Sequence, residues 1–439
     1  MQPGRTSGGV VRYYILAMLF IATTVNYADR ATLSIAGPQV QAQLGLSAVA
    51  MGYLFSAFGW AYVAAQIPGG WLLDRFGSRR VYAVSLLLWS LFTALQGMAG
   101  WLAPAAALVA LCILRLLVGL AEAPAFPGNS RICAAWFPTQ ERGTAAAVFN
   151  AAQYCATVIF TPLMSWITHR FGWTYMFYFM GVVGVVLCAA WLRMMHGPRQ
   201  HAKLSSTELE YIAAGGALVD LDNDAVKAPR QPLQWRQLRQ LLGSRMLLGV
   251  YLGQYCITTL TYFFLTWFPI YLVRERGMTI LQAGLVASLP AICGLVGGIL
   301  GGMFSDALLK RGWSLTAARK IPIVAGLLLS TTMIGCNYIQ ADWLVILFMS
   351  VAFFGKGVGA LGWAVVSDTS PRQMTGVSGA VFNTFGNVAA ITTPIAIGYI
   401  VQATGSFTGA LVFVGANALV AMISYLVIVG PISRLELQA

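Results

Sequence analysis

The chain has 439 residues, 58% of them apolar and only 9% charged, where a soluble domain carries about a quarter charged. Its net charge is +13 and its mean hydropathy +0.72. This composition excludes an ordinary soluble enzyme. It leaves a nucleic-acid-binding role to be judged by where the basic residues fall.

Apolar segments of about 20 residues, each enough for a ~30 Å hydrocarbon core, recur along the whole length. Twelve are expected, near 12–36, 49–73, 80–100, 102–128, 142–168, 172–195, 246–273, 279–304, 319–338, 342–368, 374–402 and 406–430. With no water there to satisfy backbone groups, such spans must be helices. The expected fold class is therefore an all-α integral membrane protein with twelve transmembrane helices. The first span is too long and too charged at its end to be a cleavable leader, and is expected to stay in place.

Three basic residues lie deep in spans: Arg30, Arg115 and Lys356. If the amino terminus is cytoplasmic, Arg170, Arg274 and Arg276 are outside and all the other Lys and Arg are inside. That is the positive-inside pattern, with both termini cytoplasmic. The basic excess thus reads as topology, and no nucleic-acid partner is expected. The seven cysteines show no metal-ligand spacing, and the three histidines lie in loops or at helix ends. No metal or cofactor is expected.

Span 1 holds an adjacent acid and base in Asn26-Tyr27-Ala28-Asp29-Arg30. Charges in a span cost at least ~2.5–3.5 kcal/mol each and persist where they face a cavity and act. Span 2 ends in Asp74, followed by Arg75, Arg79 and Arg80. Span 4 carries Arg115 and Glu122 seven residues apart, on one helical face, before a break expected at Pro124 and Pro127. A polar stretch, about 193–245, then divides the chain. It holds Glu208, Glu210, Asp220, Asp222 and Asp224, and a short amphipathic helix is expected near Thr207 to Ala214.

The two sides of that stretch repeat. Gly143 to Asn150 (GTAAAVFN) returns as Gly376 to Asn383 (GVSGAVFN), an offset of 233. Gly69-Gly70-Trp71-Leu72-Leu73-Asp74 returns as Gly301-Gly302-Met303-Phe304-Ser305-Asp306, an offset of 232. Two pseudo-symmetric six-helix halves are expected, 1–195 and 246–439, joined by a cytoplasmic linker, 196–245. In such repeats the substrate site lies between the halves near mid-membrane.

Gly70-x-x-x-Asp74-Arg75-x-Gly77-x-Arg79-Arg80 resembles the loop 2–3 signature of the major facilitator superfamily. Asn26-Tyr27-x-Asp29-Arg30, Gln66-Ile67-Pro68-Gly69-Gly70 and Glu122-Ala123-Pro124-x-Phe126-Pro127 resemble its anion:cation symporter family, and within it the bacterial glucarate and galactarate transporters. The resemblance covers nearly the whole chain. It implies a major facilitator fold, proton coupling and a sugar-acid substrate.

The residues can be weighed for those roles independently. Asp29 and Arg30 point about 100° apart on a helix, so they serve different contacts, one toward span 4 and one toward the cavity. Arg30 is the expected cation for a substrate carboxylate, whose shape its planar fork matches. Asp29 and Glu122 are the expected proton carriers, with Arg115 available to pair with either. The 233 offset sets Lys356 at nearly the depth of Glu122 in the other half. Arg30 and Lys356 would then clamp the ends of a dicarboxylate, whose carboxyl carbons lie roughly 6–7 Å apart in a six-carbon sugar acid. Pairing of Lys356 with Asp368, twelve residues on, is ruled out by about 18 Å of helix.

Neutral groups expected to meet the hydroxyls are Tyr27, Tyr62, Gln153, Asn383 and Asn387, with Trp363 against the carbon chain. The resemblance places Arg30, Tyr62, Gln153, Trp363 and Asn383 in the binding site. Ala360 and Gly362 stand where some aldonate-carrying relatives have hydroxyl residues, so those contacts do not transfer. Asp74, Arg75, Arg79, Arg80 and Asp306 are expected to latch and release helices at the cytoplasmic surface.

The function expected is import of a sugar-acid dianion across a bacterial inner membrane by a monomer, in symport with protons. The alternatives are symport of a monocarboxylate sugar acid and, behind it, efflux by antiport. No enzyme activity is expected.

Overall fold

A computed structural model of the protein describes residues 9–221, 235–371 and 375–436. Twelve helices are long and apolar enough to cross a bilayer: α1 (Val11–Leu44), α2 (Ala48–Phe76), α3 (Ser78–Trp101), α4 (Pro104–Trp136), α5 (Arg142–Phe171), α6 (Trp173–Met194), α7 (Arg245–Arg274), α8 (Ile280–Lys310), α9 (Leu315–Tyr338), α10 (Asp342–Thr369), α11 (Val377–Thr404) and α12 (Thr408–Ile428). No strand occurs among the described residues. The molecule is inside-out in polarity. Val182, Val186 and Met303 are each more than 60% exposed on its outer face, where lipid would lie, while Asp29, Arg30, Arg115, Glu122 and Lys356 are buried.

Local sequence explains where the helices start and stop. Ser47 caps α2 by accepting from the Ala50 amide (3.1 Å), and Thr279 with Gln282 forms a reciprocal capping box at α8. α1 runs past the expected end near residue 36 because it continues through Pro38. It stops at Gly45, whose φ of +63° only glycine adopts at little cost. α4 breaks as expected, into Pro104–Glu122 and Ala125–Trp136. Its repeat mate α10 breaks too, into Asp342–Val358 and Gly362–Thr369, at a place marked by Gly355, Gly357 and Gly359 rather than by proline. Both breaks fall directly beyond an intramembrane charge, Glu122 in one case and Lys356 in the other.

The first six and last six helices meet along two seams. α2 lies on α11, where a Cβ at Gly52 would sit 2.6 Å from the Pro394 carbonyl oxygen and one at Gly59 2.9 Å from Ala390. α5 lies on α8, where Gly284 faces the Ser165 hydroxyl. Small residues let helix backbones approach closely where no hydrophobic force drives them together. These contacts, with Val49 N to Gln402 Oε1 at 3.1 Å and Tyr53 to Tyr399 at 3.2 Å, gather at the end opposite the basic loops. Toward the basic end, Gln66 meets Asn383 and Tyr154 meets Lys356 across the seams, each at 3.3 Å.

The stretch after α6 forms the expected short helix, Ser206–Ala214, capped by Ser205. Glu208 differs from the solvated linker acid that its surroundings suggest. It is buried, and accepts from the Val11 and Arg12 amides (3.3 and 3.2 Å) and from the Arg12 guanidinium (3.3 Å). Arg12 also pairs with Glu141 at 3.0 Å. A carboxylate at the first amides of α1 is favoured by the helix dipole, and it ties this helix to the start of α1. Asp222 and Asp224 lie outside the described residues.

Candidate functional site

The buried charges of the first six helices form one cluster. Arg30 Nε donates to Glu122 Oε2 at 2.9 Å, with both side chains under 5% exposed. The Arg30 guanidinium also lies over three rings: Tyr27 and Phe58 at 4.8 Å and Tyr62 at 4.6 Å. Aromatic faces hold a desolvated guanidinium while leaving its N–H edge free. Asp29, pointing elsewhere as its helical position requires, accepts from Thr93 Oγ1 of α3 at 2.6 Å.

Two expectations about this cluster change. The partner of Glu122 is Arg30 and not Arg115, its neighbour two turns back. Arg115 instead reaches the Arg30 carbonyl at 3.5 Å and passes under Phe58. Asp29 faces α3, and it is Arg30 that faces α4 through Glu122, with its guanidinium over the Tyr27, Phe58 and Tyr62 rings. A seven-residue spacing puts Arg115 and Glu122 on one face, but α1 comes between them. Among the described residues, Glu122 Oε1, Asp29 Oδ1, Arg30 Nη2 and two Arg115 nitrogens have no hydrogen-bond partner. The cluster has hydrogen-bonding capacity left over, which for buried ionisable groups marks a site that takes something in.

Across the seam, Lys356 is 4% exposed. Its Nζ donates to Tyr154 Oη of α5 at 3.3 Å and lies 5.2 and 5.0 Å from the Tyr154 and Phe353 ring centres. Asp368 is indeed no partner for it, being paired with Arg319 at 2.8 Å. A cavity is lined by Tyr27, Gln153, Tyr154, Thr157, Thr261 and Phe353, among others, and so includes the Tyr27 ring that lies under Arg30 and the two rings that lie beside Lys356. The ring beside Arg30 and the ring beside Lys356 thus form two walls of one space.

The amides gather on α11. Asn383 donates to Gln66 of α2 at 3.3 Å, and Asn387 donates to Asn383 Oδ1 at 3.1 Å. Tyr262 of α7 donates to Asn387 at 3.5 Å and also lies against Arg30, so it connects the two sides. Gln153 is half-buried on the cavity wall and donates to the Asn150 carbonyl at 3.2 Å. Tyr62 is buried beneath Arg30 and stacked on Phe58 at 5.3 Å. Trp363, at the start of the second piece of α10, is half-exposed with one edge on Phe382 at 4.9 Å.

Thr93, Tyr154 and Tyr262 escaped the sequence reading. Their partners are distant in sequence and a hydroxyl in a span carries no signal of its own. Gln66 and Tyr154 were nevertheless close at hand, one inside a quoted motif and the other next to Gln153.

At the basic end, Asp74 pairs with Arg131 of α4 at 2.6 Å, a tie between neighbouring helices. Arg79 donates to the Leu192 carbonyl at 2.6 Å, Arg75 lies over Trp71 at 5.2 Å, and Arg80 is exposed. On the other side of the repeat, Arg319 of α9 serves both Asp368 and Asp306, the latter at 3.7 Å. A helix-terminal acid faces the helices packed beside it sooner than the residues that continue its own chain.

A family model described as the Major Facilitator Superfamily matches residues 19–318. The chain is 62% identical over 428 residues to a Bacillus subtilis (strain 168) protein named "Probable galactarate/D-glucarate transporter GudP", covering 98% of this chain and 94% of that one. It is 61% identical over 429 residues to the Escherichia coli (strain K12) protein of the same name, covering 97% and 95%. Among solved structures, a D-xylose-proton symporter superposes with a TM-score of 0.73 at 16% identity over 96% of this chain and 98% of that one, a likeness of fold. The chain therefore belongs to the Major Facilitator Superfamily and is a multi-pass membrane transport protein, not an enzyme.

Proposed function

We propose that the protein is a proton-coupled symporter that imports a dicarboxylic sugar acid, galactarate or glucarate, by alternating access. The names of the relatives at 62% and 61% identity support the substrate class. The observation that carries the reading is a pair of buried cations, each set behind rings that line one cavity: Arg30 over Tyr27, and Lys356 beside Tyr154 and Phe353. A dianion of fixed length needs two such groups, and a monoanion needs one.

The Arg30–Glu122 pair supplies the coupling. While Glu122 is ionised it holds Arg30 at 2.9 Å and competes with a substrate carboxylate for the same guanidinium. Protonation of Glu122 ends that competition and frees Arg30 for the substrate. Asp29, held by Thr93, is the second carrier, with Arg115 as the nearby positive charge. Energetics ask for at least two protons. Each charge crossing 100 mV is worth about 2.3 kcal/mol, so an unaccompanied dianion is excluded from a negative interior, and two protons make the step electroneutral.

The orientation follows from the charges at the two ends. Arg75, Arg79, Arg80 and Lys310 crowd the end that also carries the start of α1, with Arg170, Arg274 and Arg276 at the other. With the basic end cytoplasmic, both termini are inside, the tight seams close the outer face, and the site faces the cytoplasm of a bacterial cell. A monomer contains every group the mechanism uses.

The test is uptake of radiolabelled glucarate into proteoliposomes with an imposed inward proton gradient, competed by galactarate, galactonate and glucuronate. Gradient-driven uptake blocked best by the two diacids is expected. Uptake indifferent to the gradient overturns the coupling, and uptake blocked best by a monoacid overturns the substrate assignment.

A further inference from the structure

Lys356 has an unusual environment for a buried ammonium. Among the described residues no carboxylate lies within 4 Å of it, and its one hydrogen-bond partner is the neutral phenol of Tyr154, which comes from the other half of the chain. The Tyr154 ring is fixed from both sides. It stands edge-on to Phe353 at 6.1 Å, and a Cβ at Gly294 would meet it at 2.9 Å. The ring therefore has a set position, and Tyr154 lies on the wall of the cavity next to Gln153.

Because the ammonium donates to the phenol oxygen, the phenol's own proton is left to donate elsewhere, and hydrogen bonds in a chain strengthen one another. An ammonium has two further N–H groups to offer. We infer that Tyr154 is a specificity-determining residue, whose hydroxyl joins Lys356 in holding the second carboxylate of the substrate. That carboxylate would receive one donor from α5 and one from α10, and so bridge the two halves at the far end from Arg30. A monocarboxylate, anchored on Arg30, presents a hydroxyl there and gains far less. This inference rests on the dicarboxylate reading above and adds a residue that the reading does not need.

The test compares the unaltered protein with Tyr154→Phe, Lys356→Met and the double variant in proton-driven uptake of glucarate, with galactonate as the competing monoacid. Tyr154→Phe is expected to raise the KM for glucarate about 10- to 100-fold, the size of one hydrogen bond to an ionised group. The inhibition constant of galactonate is expected to move less than about twofold on the same accounting, since it loses no such bond. The double variant is expected to lose less than the product of the two single losses, because the two donors act on one carboxylate. Tyr154→Leu, which also deletes the hydroxyl, gives the reading if the Phe variant is poorly produced.

An unchanged KM for glucarate in Tyr154→Phe, or equal losses for both substrates, overturns the role of Tyr154. If the unaltered protein takes up no diacid at all, it is the transport reading that fails. If Lys356→Met loses the diacid preference and Tyr154→Phe keeps it, the clamp stands and only the phenol is removed from it.

Discussion

The two sides of the cavity sit at matching depths of an internal repeat, yet they are built differently. The α1, α3 and α4 side buries four ionisable groups, Asp29, Arg30, Arg115 and Glu122, whose charges sum to zero when all are ionised. The α7, α10 and α11 side has one, Lys356, with its remaining polar work done by Asn383, Asn387 and Tyr262. A neutral cluster with spare hydrogen-bonding capacity can gain or lose a proton without stranding a lone charge. A single ammonium against a phenol cannot, and suits a fixed recognition role. On the proposed reading the first half handles protons and one carboxylate, and the second half measures the length of the substrate and its hydroxyls.

Substitutions on each side should therefore fail differently. The largest effect is expected for Arg30→Ala, which removes the shared partner of substrate and proton and strands Glu122 in the protein interior. Uptake should fall by roughly 100-fold or more, in keeping with truncation of one member of a buried charge pair. Lys356→Met comes next. Its expected signature is the preference between diacid and monoacid, which should fall by about 10- to 100-fold with the loss of a charge-assisted bond. Competition assays check this, and an unchanged preference would remove the second half from charge recognition.

Thr93→Val deletes the hydroxyl on Asp29 while keeping the shape. A change of roughly 3- to 10-fold in gradient-driven uptake is expected, from the loss of one buried hydrogen bond, with competition among substrates unaltered. The smallest effect is expected for Asp74→Asn, whose pair with Arg131 is only partly buried. About a fivefold change in turnover, with KM unchanged, matches the ~1 kcal/mol of a partly exposed ion pair. A change in substrate preference in that variant would contradict its placement outside the site.

Much of the architecture is legible without coordinates because the bilayer reduces the choices to helices of a certain length. The twelve spans, the break after Glu122 and the short helix after α6 all follow from hydropathy, proline and capping residues. Span ends were less legible. α1 passes through Pro38, and nothing local says that Gly45 rather than Pro38 is the stop. The intramembrane charges announce themselves by their cost, so Asp29, Arg30, Arg115, Glu122 and Lys356 could all be named from the chain alone.

Their pairings could not. Helical spacing put Arg115 and Glu122 on one face and left Arg115 able to pair with Asp29 or Glu122, whereas tertiary packing gives Glu122 to Arg30 of α1. The same holds for Asp74, whose partner Arg131 lies on another helix, and for Glu208, which caps the start of α1 from almost 200 residues away. Partners like Thr93 and Tyr154 are invisible for a further reason: a threonine or tyrosine in a span is ordinary until an ionised group is placed against it.

The competition between Glu122 and substrate for Arg30 is most directly tested by Glu122→Gln in proteoliposomes, measuring both exchange of labelled glucarate at equal pH and its accumulation under an inward proton gradient. The amide mimics the protonated acid and leaves Arg30 open to the substrate. Exchange should persist while accumulation against a gradient is lost. Accumulation equal to that of the unaltered protein would contradict the account and leave the Arg30–Glu122 pair as a structural tie.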